Sequence, residues 1–112
     1  MVDEGGKRVN AIHRNELRKT IENEPLLALY LYTPLCGTCQ LARRLLVIIE
    51  QLFPTLPFYE TDINYIPKQA VEWQISSVPC LLLFVDGAMA GKWYAFPSVT
   101  DLYEQLQARL PR

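Results

Sequence analysis

"LLALYLYTPLCGTCQLARRLL", residues Leu26–Leu46, holds three signals in a short space. The first is Leu26–Tyr32, an uncharged apolar run of strand length without polar alternation, as expected of a strand buried on both faces. Pro34 ends it. The second is a helical pattern from Gly37 to Phe53, in which Leu41, Leu45, Ile48, Ile49 and Leu52 recur with the spacing of one face. That face is expected to be buried, with Arg43, Arg44, Glu50 and Gln51 mostly on the other. The third is the pair Cys36 and Cys39 at the junction. Such a pair is a redox dithiol, half of a metal site or an accident of composition, and the rest of the chain must decide.

The remaining sequence alternates strands with helices. Residues Arg8–Ile12 read as a short strand, and His13–Asn23 as a helix with Leu17 and Ile21 on one face. After Pro54 and Pro57, Phe58–Ile63 is a second strand, and Pro67 opens a helix reaching Trp73. Cys80–Val85 is a further apolar strand, and Asp86-Gly87 is a two-residue hairpin turn. A return strand is expected at Ala90–Ala95 and a last helix at Val99–Leu110, with Leu102, Leu106 and Leu110 on one face. This order predicts an α/β fold with a central sheet, mostly parallel, to which an antiparallel hairpin is added. The reactive site of such a sheet lies beyond the carboxyl end of a strand, where Cys36 and Cys39 fall.

The 112 residues, 50% apolar and 21% charged, suit one domain, with residues 1–8, including "DEGG", as a frayed end. The net charge of −1 and the lack of a dense basic cluster argue against nucleic-acid or membrane-surface binding. Arg43 and Arg44 are read as part of a solvated helix face. No apolar leader opens the chain, and its longest apolar run is too short to span a bilayer, so the cytoplasm is the expected compartment. Three cysteines make no disulfide framework.

If the pair is a dithiol, the start of the helix assigns roles to its two sulfurs. Free N–H groups and the positive end of the helix dipole favour a thiolate at Cys36, with a lowered pKa. Cys39, one turn further in, is expected to be shielded. Cys36 would attack a substrate disulfide, and Cys39 would resolve the mixed disulfide. Gly37 is expected to allow close backbone approach. A zinc site would need two further ligands, and only Cys80 and His13 are at hand. His13 is otherwise read as an exposed helix residue. A second signal, "SSVPCLLLFVDG", places Pro79 directly before a buried strand, where it cannot donate to the ladder.

Taken together, Cys36-Gly37-Thr38-Cys39 after an apolar strand, "TDINYIPKQAVEWQISSVP" and "LLLFVDG" resemble the thioredoxin family from about Val9 onward, in the family's order. The resemblance implies a three-layer α/β/α sandwich around a mixed sheet of four to five strands. It implies Cys36 as nucleophile, Cys39 as resolving thiol and Pro79 as a cis-proline packed against them. It also implies that the Val78 backbone docks an extended substrate strand. Pro67 would match the family's helix-opening proline, and Gly87 its hairpin glycine. Protein disulfides would be the substrates, an upstream reductase the electron donor, and no bound cofactor or metal would be needed. The chain would act as a monomer.

Several positions depart from the family pattern. Leu35 stands in place of the usual Trp, and Thr38 in place of the Pro between the cysteines. Tyr30 replaces a buried Asp six residues before the first cysteine, and Glu60 replaces the Lys on the next strand. A phenol is a poor base at neutral pH. Glu60 is thus the candidate proton acceptor for Cys39, acting through a water, and the alternative is that it points to solvent. Cys80 is either a small core residue or an auxiliary thiol. Ala95, in place of a Gly, and Phe96 are expected to narrow the substrate groove or make it more apolar. The alternative functions are a binding module that uses the pair as a redox switch, and a metal or cluster site at Cys36, Cys39 and Cys80.

Overall fold

The computed structural model describes residues 9–111. The expected frayed end therefore lies outside the described residues, as does Arg8, the first residue of the expected opening strand. In chain order the elements are β1 (Asn10–Ala11), α1 (Arg14–Asn23), β2 (Leu26–Tyr32), α2 (Gly37–Leu52), β3 (Phe58–Asp62), α3 (Pro67–Glu72), β4 (Cys80–Val85), β5 (Ala88–Trp93) and α4 (Val99–Arg109). A 3-10 turn, Ile63–Tyr65, follows β3.

The five strands form one sheet in the order β1-β3-β2-β4-β5. β3 pairs parallel with β1 and β2, whereas β4 pairs antiparallel with β2 and β5. The sheet is therefore evenly mixed and not mostly parallel as expected. The apolar run of β4 buries it equally well in either direction, so its sequence does not encode its orientation.

Side chains along β4 alternate between two cores. Leu81 and Leu83 join Ala42, Leu46 and Ile49 of α2 and Leu102 and Leu106 of α4. Cys80, Leu82 and Phe84 join Leu17 and Ile21 of α1 together with Ile66. This period-two alternation in a strand covered on both sides produces the three layers.

The turn at Asp86-Gly87 has positive φ at both residues, 51° and 81°, the left-handed pair that a tight hairpin needs. Pairing therefore resumes at once, with Val85 opposite Ala88, and β5 lies nearer the turn than expected. The Asp86 N–H donates to the Pro25 carbonyl at 2.8 Å, tying the hairpin to the start of β2. His13 is the N-cap of α1 and not a residue inside the helix; its Nδ1 accepts from the Asn15 N–H at 3.1 Å.

The largest correction concerns which face of α2 is buried. Cys39, Ala42, Leu46, Ile49 and Glu50 face inward, whereas Leu41, Ile48 and Leu52 are exposed. The helix carries two apolar rows, and the inner one, continued by Phe53, meets the sheet and α4. No helix of the described residues is long and apolar enough to cross a membrane.

Candidate active site

β2 ends at Tyr32, and α2 begins one short turn later with Cys36 as its N-cap. The Cys36 N–H donates to the Thr33 carbonyl at 3.3 Å, which closes that turn. Cys36 and Cys39 are joined as a disulfide with their Cα atoms 5.1 Å apart. The Cys36 Sγ accepts the Cys39 N–H at 3.0 Å and lies 3.2 Å from the Thr38 hydroxyl. Cys36 is half-buried and Cys39 is 3% exposed, the asymmetry expected of an attacking and a resolving sulfur. Leu35, beside them, is fully exposed. A Cβ added at Gly37 would meet nothing within 4 Å, so the expected close backbone approach does not occur within the chain.

The Val78–Pro79 peptide bond is cis. Pro79 lines an open groove of about 430 Å³ with Thr38, Leu41, Leu45, Tyr94, Ala95 and Phe96. Ala95 and Phe96 form its apolar wall opposite Leu41 and Leu45 of α2. Among the described residues, no hydrogen bond engages the Val78 N–H or C=O.

The loop leading to Pro79 is held from β5. Lys92 Nζ donates to the carbonyls of Trp73 and Gln74, at 3.1 and 3.0 Å. The Tyr94 hydroxyl donates to the Gln74 carbonyl and accepts the Ser76 N–H, both at 3.2 Å. The bond from Ser76 lowers the Tyr94 pKa. Sequence reasoning missed this clamp. Its only trace is that Lys92 and Tyr94, two apart in the expected return strand, would share a face.

Behind Cys39 lies a second cavity of about 190 Å³, lined by Tyr30, Tyr32, Cys39, Arg43 and Glu60 among others. Tyr30 is 1% exposed, and its hydroxyl donates to the Cys39 carbonyl at 2.5 Å. Burial, followed by the nearby Glu60 carboxylate, pushes the Tyr30 phenol well above its ordinary range. It is a donor here and not a base. Tyr32 is raised by the same two causes.

Glu60 does not point freely to solvent. The Arg43 guanidinium grips it with two bonds, Nε to Oε1 at 2.8 Å and Nη2 to Oε2 at 3.3 Å. The hydrogen bond to Glu60 raises the Arg43 pKa. Arg43 is therefore not a simple solvated residue, and its partner on β3 leaves no local trace in the sequence of α2.

Cys80 is fully buried, and it faces the α1 layer, whereas α2 packs on the other side of the sheet. Burial pushes its thiol up to about 12. The structure brings neither Cys80 nor His13 to the dithiol. Among the described residues, no cluster of three or more His, Cys, Asp or Glu is placed to hold a metal ion.

The Thioredoxin family model matches residues 8–108. "Thioredoxin-like protein YusE" of Bacillus subtilis is 48% identical over 89 residues, covering 80% of this chain and 83% of that protein. Among solved structures, a mutant thioredoxin from Halobacterium salinarum superposes with a TM-score of 0.81 at 16% identity, covering 94% of this chain and 93% of that one. Oxidised mitochondrial thioredoxin 3 from Saccharomyces cerevisiae gives 0.77 at 24% identity, covering 89% of this chain and 94% of that one. The sheet order, the capped dithiol and the family match agree: this chain belongs to the thioredoxin family and is a thiol-disulfide oxidoreductase.

Proposed function

We propose that the protein reduces disulfides of other proteins in a reducing, cytoplasmic compartment. It acts as a monomer through Cys36 and Cys39 alone, with no bound cofactor and without nucleic-acid or membrane partners. The observation that carries this reading is the placement of the two sulfurs. Cys36 Sγ sits at the start of α2, where it accepts the Cys39 N–H, and Cys39 is buried behind it. A donated N–H and the helix dipole both favour negative charge on Cys36.

In the reaction, the Cys36 thiolate attacks one sulfur of the substrate disulfide. That S–S bond breaks and one substrate thiolate leaves, while the other sulfur is bonded to Cys36. Cys39 then loses its proton and attacks Cys36 Sγ, and the second substrate thiolate leaves. The substrate has gained two electrons, and Cys36–Cys39 has become a disulfide. An upstream reductase returns it to the dithiol.

Docking falls to the free Val78 backbone beside Pro79, which can pair with an extended substrate strand. Glu60 accepts the Cys39 proton through a water in the cavity they share. The Arg43 grip aims the carboxylate, and the Tyr30 bond holds the first turn of α2 in place. The family's acid on the strand before the dithiol is here replaced by an acid on β3.

The test is turnover in an insulin-type disulfide reduction assay, with Cys36→Ser abolishing it and Cys39→Ser accumulating a mixed disulfide on Cys36. Retained turnover in Cys36→Ser, or trapping on Cys39 in place of Cys36, would overturn the assignment.

A further inference from the structure

α2 carries a row of large aliphatic residues of which the fold uses only Leu45, packed against the edge of the core. Leu41, Leu45, Ile48 and Leu52 follow one another at intervals of four, three and four residues. Leu41, Ile48 and Leu52 are 62%, 53% and 47% exposed, and Leu45 is half-buried. This interval is that of a helix seam that packs against another helix. An amphipathic surface helix normally turns polar residues outward, and a helix that is apolar all round is normally buried. α2 does neither.

The row runs for about 16 Å along the helix at 1.5 Å per residue. Its first half is continuous with the groove at the dithiol, because Leu41 and Leu45 also line that groove beside Pro79. Its charge is one-sided. The only acid of α2, Glu50, is buried, and Arg43 is engaged by Glu60. Arg44 is exposed and makes no salt bridge among the described residues. A lasting dimer buries roughly 800 Å² per partner, more than four aliphatic side chains in one row supply. The row therefore suits a transient occupant.

We propose that the outer face of α2 docks an amphipathic helix of the disulfide-bearing substrate, with apolar residues at matching intervals and acidic residues beside them to meet Arg44. The helix lies along Leu41–Leu52 and brings its neighbouring disulfide to Cys36. The inference rests on the exchange chemistry at Cys36 and adds the class of substrate that reaches it.

The probe is a synthetic helical peptide with leucines at the same intervals, flanking glutamates and a terminal cysteine bonded to 2-nitro-5-thiobenzoate. Protein reduced with dithiothreitol and desalted is mixed with it; Cys36 takes the peptide sulfur, and the coloured thiolate released is followed. A peptide of scrambled order and the small symmetric aromatic disulfide are the controls. The ordered peptide is expected to react about tenfold faster than the scrambled one, a preference of about 1.4 kcal/mol. Ile48→Gln with Leu52→Gln, both outside the dithiol groove and both to good helix formers, removes that preference and leaves the small disulfide's rate unchanged. Arg44→Glu transfers the preference to a lysine-flanked peptide. Equal rates for ordered and scrambled peptides overturn the proposal. So does dimerisation of the reduced protein in sedimentation that the double variant abolishes, which would assign the row to a second copy. No reaction with the small disulfide would instead overturn the exchange chemistry itself, and this proposal with it.

Discussion

The Tyr30 hydroxyl donates a 2.5 Å hydrogen bond to the carbonyl of Cys39, linking the centre of the sheet to the first turn of the helix that carries both sulfurs. Tyr30 faces Glu60 across one strand pair and Leu81 across the other, so its ring is held on both sides. The bond is buried, so loss of the hydroxyl takes a donor from the Cys39 carbonyl. Tyr30→Phe keeps the ring and removes only the donor. It is expected to lower stability by about 1 kcal/mol, read as a lower urea midpoint of the oxidised protein.

Glu60 and Arg43 separate by rate. Glu60→Gln is expected to slow release of the second substrate thiol by about a hundredfold, the lower end of general-base help. Attack by Cys36 is unchanged, and Glu60→Asp recovers part of the loss. Arg43→Met leaves the carboxylate unaimed and slows the same step less. It costs less than about 1 kcal/mol of stability, because the pair is partly exposed. Rapid-quench measurement of the two steps checks this, and equal slowing of both steps in Glu60→Gln would count against a proton role.

The clamp on the Pro79 loop acts on binding. Tyr94→Phe removes two hydrogen bonds, and Lys92→Met removes two more. Each loss is worth about 1 kcal/mol per bond or less. Both variants are expected to raise KM for a protein disulfide several-fold with little change in kcat. A fall in kcat alone would argue that the clamp serves the chemistry.

Alkaline pH is expected to destabilise the fold. The Cys80 thiol is pushed from its ordinary 9.0 up to about 12 by burial, so the folded chain keeps a proton that the unfolded chain releases. Between those values the folded state binds more protons, and stability falls as pH rises. It is complete below pH 9 and declines toward 12; the raised Tyr30 phenol acts in the same sense. Urea midpoints of the oxidised protein at pH 8 and 10 test the slope, which Cys80→Ala reduces. The same burial predicts that iodoacetamide labels Cys80 only after unfolding.

Local patterns carried much of this into the sequence. β2 and β4 were legible to the residue because continuous apolar runs of strand length have few other readings, and Asp86-Gly87 placed the hairpin. The start of α2 followed from Pro34 and the cysteines. What failed was relational. Two apolar rows on α2 satisfy periodicity equally, and only the packed sheet chooses between them. Arg43 and Glu60 are 17 residues apart on different elements, and Lys92 lies 18 from Gln74. Nothing near either residue announces such a partner.

Ile48 and Ile49 are neighbours of identical chemistry, yet one is 53% exposed and the other fully buried. Truncating Ile49 opens a cavity, while changing Ile48 leaves the interior intact. Along this helix, two adjacent residues can therefore differ widely in how much change the chain tolerates. The outer row is free to drift with whatever it meets, while the inner row is pinned by its own architecture.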